Sequence, residues 1–239
     1  MKRIVLIAAI IASFASCQRT HDMSEGPRPT KNVILMVADG TCNGVLALSK
    51  WYKHYEGDKG FELNVSDHVC GMMSSTMSNG ILSCSAAAMS TIMTGMPQRP
   101  GNVSIYPAPD PARDIIEVDP ANAYQPLATI MEASRIEKGR STGMVFTVEI
   151  NHATPAACAS HTPSRGDKKA IVRQIASNGV DVIFGGGAAE LDETTKEIIA
   201  KNGVTLIEKD VDAFRKYDGD GAVWALFEDG ELPYDIDRD

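Results

Sequence analysis

The sequence predicts an α/β fold built on a mostly parallel sheet with helices on both faces. Three observations predict it. From Asn32 onward, short apolar runs of strand length alternate with longer amphipathic stretches. The 239 residues are 44% hydrophobic and 23% charged, an ordinary globular composition at a length that buries a sizeable core. Neither an internal repeat nor an apolar run long enough to span a bilayer comfortably breaks the alternation.

The first residues stand outside this fold. Lys2 and Arg3 precede an apolar run at residues 4–14, which leads into Ala15-Ser16-Cys17. A short basic start, an apolar stretch of that size and small residues at its exit make residues 1–16 a secretory signal. Placing Cys17 directly after Ala-Ser resembles a lipoprotein signal, with Cys17 as the lipidated mature N-terminus. Residues 17–30, with Pro27 and Pro29, lack periodicity and form a tether. Residues 31–239 then form the folded domain.

Residues 32–38 are a buried-strand run closed by Asp39-Gly40, and a helix follows to about His54. Residues 69–76 suit a second strand. Residues 85–93, rich in Ala and Met, suit a buried helix. The stretch at 108–122 is rich in Pro and Asp and reads as a surface insertion. Residues 125–135 are helical in period and 141–148 read as a strand. Helices are expected at 153–159, 167–177 and 193–201, and strands at 180–184, 204–207 and 222–226. The strand at 180–184 stops at Gly185-Gly186-Gly187.

The formal net charge is -8, and loss of Lys2 and Arg3 with the signal takes it to -10. No basic footprint for nucleic acid is present, and an acidic chain is not drawn to anionic membranes. A membrane association would run only through a lipid on Cys17. A phosphorylated substrate stays open, because bound cations reverse a local field. Beyond Cys17 four cysteines remain: Cys42, Cys70, Cys84 and Cys158. Their spacing selects no disulfide pairing, and without a Cys-x-x-Cys a cysteine zinc site is disfavoured. Buried free thiols are the plain alternative.

In open α/β sheets ligands gather at the carboxyl ends of strands. Asp39 closes the first strand run, where a carboxylate suits a divalent cation, although Asp-Gly is also a common turn pair. Ser85 opens the Ala-rich helix in Cys84-Ser85-Ala86-Ala87-Ala88-Met89. It is either a plain helix cap or a hydroxyl placed where the helix dipole favours an alkoxide or phosphate. In Asn151-His152-Ala153-Thr154-Pro155-Ala156-Ala157, Pro155 fits a first helical turn and Thr154 could be only a cap. His152 alone is more often structural than a ligand, and Arg165 alone is more often a solvated charge.

Taken together and in this order, these segments resemble the alkaline phosphatase family. The matching pieces are residues 32–40, the Ser85-Ala86-Ala87 helix ending in Thr94-Gly95, and His152-Ala153-Thr154-Pro155-Ala156-Ala157 through Ser164-Arg165. Gly185-Gly186-Gly187 and Leu232-Pro233-Tyr234 extend the likeness towards the end of the chain. The resemblance implies a three-layer α/β/α sandwich with a mostly parallel central sheet, incomplete at the C-terminus, and an exported, periplasmic or outer-membrane phosphomonoesterase. It implies two zinc ions and one magnesium ion, a phosphate monoester as substrate and a homodimer as one assembly.

Carried over, Asp39 would bridge a zinc and the magnesium, and Ser85 would be the zinc-bound nucleophile that becomes phosphoserine. Thr154 would bind magnesium through its hydroxyl. His152 would stand beside that ion, as a ligand or through a water, where other members have Asp. Arg165 would grip two phosphate oxygens, which a planar guanidinium does bidentately. A serine hydroxyl with no paired base needs such activation, and zinc supplies it by lowering the hydroxyl's pKa.

The sequence departs from the family twice. Cys84 stands where members have an Asp that orients the arginine, leaving Arg165 looser or held by another carboxylate. The chain is also about half a family catalytic domain, and no His follows Arg165. It therefore reads as an N-terminal part whose activity alone is weak or absent. The competing reading is a non-catalytic metal- or phosphate-binding envelope lipoprotein with a degenerate phosphatase fold. A third is a related metallohydrolase such as a sulfatase, phosphodiesterase or phosphoglycerate mutase.

Overall fold

The structure is a computed structural model that describes residues 30–237. The expected signal, Cys17 and all of the tether except Thr30 lie outside the described residues. The chain divides into two units between Gly40 and Thr41.

In the first unit the expected strand at 32–38 does not form. Val33, Ile34 and Met36 are 78%, 85% and 89% exposed. The apolar run signals a place in a sheet, but a strand exists only through ladder hydrogen bonds to a neighbour. Residues 32–38 pair with no strand among the described residues. Asp39 and Gly40 form a turn, Gly40 at φ +71°.

The second unit opens with α1 (Asn43–Tyr55), in which no residue is buried. Residues 69–76, also expected as a strand, are irregular for the same lack of a partner. Helix α2 (Ser85–Thr94) follows, ended by Gly95 at φ +75°, which only glycine adopts freely. The insertion at 108–122 is largely exposed. Arg99 ties it down, with Nη1 3.2 Å from Asp110 and Nη2 3.3 Å from Asp114.

Helix α3 (Ile130–Lys138) starts five residues later than its apolar period suggests. A capping box between Thr129 and Glu132 sets its start, while Leu127 donates its N–H to the Ser104 carbonyl. The remaining elements are β1 (Gly143–Glu149), α4 (Ala153–Ala159), α5 (Lys168–Ser177), β2 (Val182–Gly186), α6 (Glu193–Lys201), β3 (Thr205–Glu208), α7 (Val211–Lys216) and β4 (Val223–Leu226). Helix α7, which periodicity missed at six residues, is capped by the Asp210 carboxylate accepting from the Ala213 N–H.

The four strands form one sheet in the order β1-β2-β4-β3, and every pairing is parallel. Alternate side chains feed two cores, as a period of two requires. Met144, Ile183, Trp224 and Leu226 face the larger core, shared with Ala86, Ala153, Ala156, Ile171 and Ile175 of the helices. Val223, Ala225 and Ile207 face the smaller one, where Phe214 of α7 meets Phe184 and Phe227 edge-on at 5.0 and 5.1 Å. The predicted α/β class and parallel sheet are thus observed.

Candidate functional site

Helices α2 and α4 pack against each other through alanines, which lets their backbones approach closely. Ala86, Ala87, Ala156 and Ala157 are fully buried there. Ser85 is the first residue of α2 and half-buried, and Thr154 is the second residue of α4 and half-buried. His152 is the N-cap of α4. Each helix start is the positive end of a helix dipole.

Arg165 comes to the same place from the loop before α5. Its Nη2 lies 3.4 Å from His152 Nε2. A guanidinium only donates, so Nε2 accepts and the neutral ring carries its hydrogen on Nδ1. That Nδ1 is buried and has no partner among the described residues. Beside it Asn151 is 1% exposed, and neither of its amide atoms has a partner among the described residues.

Cys84 occupies the N-cap of α2. Its Sγ accepts a hydrogen bond from the Gly101 N–H at 3.4 Å, and the Gly101 carbonyl accepts from the Arg165 N–H at 2.7 Å. One residue, at φ +79°, thereby joins the residue before Ser85 to the backbone of Arg165. Burial pushes the Cys84 thiol up. The N–H groups of Ala87, Gly101 and Ala86 and the charge of Arg165 outweigh it, leaving the thiol below its ordinary pKa. No carboxylate pairs with Arg165 among the described residues, so of the partners expected for it the carboxylate is not found. Cys84 is the neighbour whose lowered thiol pKa the Arg165 charge helps to set.

Cys42, Cys70 and Cys158 are free as well. Cys158, inside α4, is pushed up to about 12 by burial and is inert. Asp39 lies in the turn of the first unit. No three His, Cys, Asp or Glu side chains converge as a metal cage among the described residues. Within the second unit, the donor types of Ser85, His152 and Thr154 suit hard and borderline cations.

Sequence reasoning passed over the residues that hold these helices in place. Helix α4 has four terminal carbonyls that an α-helix cannot satisfy itself. Side chains take all four: Ser160 on Ala156, Ser104 on Ala157, Thr129 on Cys158 and Asn178 on Ala159, at 2.6–2.9 Å. Nothing in the spacing of these four residues announces a shared target. Only the unusual burial of small polar residues in an Ala-rich neighbourhood could have drawn attention to them.

The family model described as alkaline phosphatase matches residues 30–239. Alkaline phosphatase 3 of Bacillus subtilis is 30% identical over 220 residues, covering 87% of this chain and 44% of the relative. The cold-active alkaline phosphatase of a psychrophilic Shewanella sp. superimposes with a TM-score of 0.71 at 28% identity, covering 84% of this chain and 47% of that one. A substituted form of the Antarctic TAB5 alkaline phosphatase, described with Mg bound in its M3 site, superimposes with a TM-score of 0.61 over 78% of this chain and 51% of that one. At 18% identity it speaks for the fold alone. The chain spans about half the length of the curated relatives it matches.

Proposed function

The chain belongs to the alkaline phosphatase family, and from that premise we propose that it carries the nucleophile half of a phosphomonoesterase site. In this reading Ser85 Oγ attacks the phosphorus of a phosphate monoester, the bond to the leaving oxygen breaks, and phosphoserine forms. Water then cleaves the phosphoserine from the opposite side. Arg165 holds two phosphate oxygens through its guanidinium fork, and the N-terminus of α2 adds favourable potential for the developing charge.

One observation supports this reading most directly. Gly101 binds the Cys84 thiol through its N–H and the Arg165 backbone through its carbonyl. The residue before Ser85 and the anion-binding arginine are therefore held in one register. Phosphoryl transfer depends chiefly on positioning and charge stabilisation, which this arrangement serves.

Two zinc ions and one magnesium ion are the cofactors of this reading, with Asp39, Ser85, His152 and Thr154 as the residues that would hold them. When bound, zinc supplies a lowered pKa for the serine hydroxyl. The ligands from these residues are few, so turnover by the 239 residues alone is weak or absent. Export with Cys17 as a lipid-bearing N-terminus, and pairing as a homodimer, belong to the same proposal.

The test is phosphoryl labelling of Ser85. With zinc and magnesium supplied, an aryl phosphate followed by acid quench should leave one phosphoryl group on the peptide containing Ser85, even where turnover is too slow to follow. Ser85→Ala should abolish that label, and Arg165→Ala should raise the aryl phosphate concentration needed for half-maximal labelling. A label elsewhere, or one that survives Ser85→Ala, would reject the nucleophile. Inorganic phosphate binding with no label in the wild-type chain would support the non-catalytic, binding-only alternative.

A further inference from the structure

Ser104 is fully buried and holds φ +42°, a left-handed conformation that a residue with a Cβ rarely adopts. All of its polar atoms are engaged, and each engages a different segment. Its N–H donates to Ser90 Oγ in the second turn of α2 at 2.8 Å. Its Oγ donates to the Ala157 carbonyl of α4 at 2.6 Å. Its carbonyl accepts from the Leu127 N–H at 3.0 Å and lies 2.8 Å from His161 Nδ1.

The neighbours of Ser104 are fixed as firmly. Val103 exchanges two backbone hydrogen bonds with Thr162, at 2.9 and 3.0 Å, and Gly101 bonds Cys84 and Arg165. The segment from Gly101 to Ser104 is therefore a strap over the contact between α2 and α4. Ser85 and His152 stand at the starts of those two helices, each five positions before the residue that Ser104 holds. A sliding of α2 along α4 has to break the hydrogen bonds at Ser104.

We propose that Ser104 is a positioning residue of the phosphoryl-transfer site. By bridging Ser90 and Ala157 it fixes the offset between the helix that starts at Ser85 and the helix that His152 caps. The proposal rests on Ser85 as nucleophile for its catalytic consequence, but its geometric content does not. Nothing in the bridge touches substrate. Its effect is on how well a bound phosphate lines up with Ser85, not on how tightly Arg165 holds the phosphate.

Two variants separate this role from general stability. Ser104→Gly keeps the N–H and the carbonyl and relieves the left-handed backbone, losing only the bond to Ala157. Ser90→Ala removes only the acceptor of the Ser104 N–H, at a position where alanine favours the helix. Both should melt cooperatively. Labelling of Ser85 at saturating aryl phosphate should slow by about ten- to a hundredfold, the scale of a small misplacement of reacting groups. The half-saturating concentration should stay near the wild-type value, the reverse of Arg165→Ala. Unchanged labelling rates in the folded variants would overturn the proposal.

A wild-type chain that never labels would count against the phosphatase reading, and Ser104 is then judged on geometry. Peptide-resolved alkylation of Cys84 reports whether the strap still covers the start of α2. Both variants should speed it. An unchanged Cys84 rate in both would end the positioning role, whatever the chain catalyses.

Discussion

Both ring nitrogens of His161 face acceptors. Nδ1 lies 2.8 Å from the Ser104 carbonyl and Nε2 lies 2.9 Å from Glu132 Oε1. Only the doubly protonated ring satisfies both. Burial pushes the His161 pKa down, but the hydrogen bonds to Glu132 and Ser104 and the charge of Glu132 raise it above the ordinary value. Burial pushes Glu132 up, and its bonds to His161 and Thr129 bring it below the ordinary carboxylate value. The raised histidine contributes stability fully below its unfolded value of about 6.5 and loses it as pH rises through the folded value. The lowered glutamate contributes above its unfolded value of about 4.3 and loses it as pH falls through the folded one. Stability from the pair is therefore fullest between those two values and declines towards alkaline pH. Glu132→Gln should cost about 2 kcal/mol near pH 6 and flatten the alkaline decline, as read from denaturant midpoints across pH. The substituted amide can still serve the Thr129 N–H as a capping box, but it then turns its NH2 towards two donors, His161 and Asn178. An alkaline decline that persists unchanged in Glu132→Gln would show the pair does not carry it. None of this was legible in the sequence, where His161 is one residue in a loop and Glu132 one charge on an amphipathic helix.

Elements were legible where local chemistry decides them. Helices α4 and α6 fall at the boundaries that apolar period and Pro155 predict, and α5 and the four sheet strands shift by a residue or two. The failures, residues 32–38 and 69–76, have strong strand composition and no ladder partner among the described residues. Composition reports a preference for a pleated, half-buried surface and says nothing of whether a neighbour is there. The triple glycine after β2 is a case of the opposite kind, a motif whose reason appears only in packing. A Cβ on Gly185 would fall inside the ring of Phe146, and one on Gly186 inside the carbonyl oxygen of Gly230. Gly187 holds φ +94° and donates its N–H to the Glu228 and Gly230 carbonyls. The motif lets the chain leaving β2 lie flush against residues 228–231, so a packing role accounts for it without any ligand. Gly186→Ala meets backbone rather than a yielding side chain. It should cost about 3 kcal/mol in chemical denaturation, the upper range for overpacking. Wild-type stability in that variant would mean the 228–231 segment moves aside freely.

For the molecule as a whole, the legible part of the candidate site was the set of residues that carry motif spacing: Ser85, His152, Thr154 and Arg165. The illegible part was the scaffold behind them, Gly101, Ser104, Thr129 and Asn178, joined by contacts distant in sequence. What the described residues leave uncovered is also a whole-molecule property. Leu48, Trp51, Met72, Met73, Ile81, Leu82 and Val145 are each more than half exposed. Val145 matters most, because it sits on β1, which ends the sheet order with β2 as its one strand neighbour among the described residues. It faces the same side as its partner Phe184, yet Phe184 is packed under Phe214 while Val145 is bare. An apolar side chain on an open strand edge is a template for pairing with another chain. The 239-residue chain should therefore associate as concentration rises and bind an apolar dye at its exposed face. Val145→Lys puts a charge on that edge without touching either core, so unfolding free energy should stay within about 0.5 kcal/mol of wild type. Sedimentation of the lysine variant should shift towards the monomer with reduced dye binding. If wild type and variant sediment alike at every concentration, the β1 edge is not the associating surface.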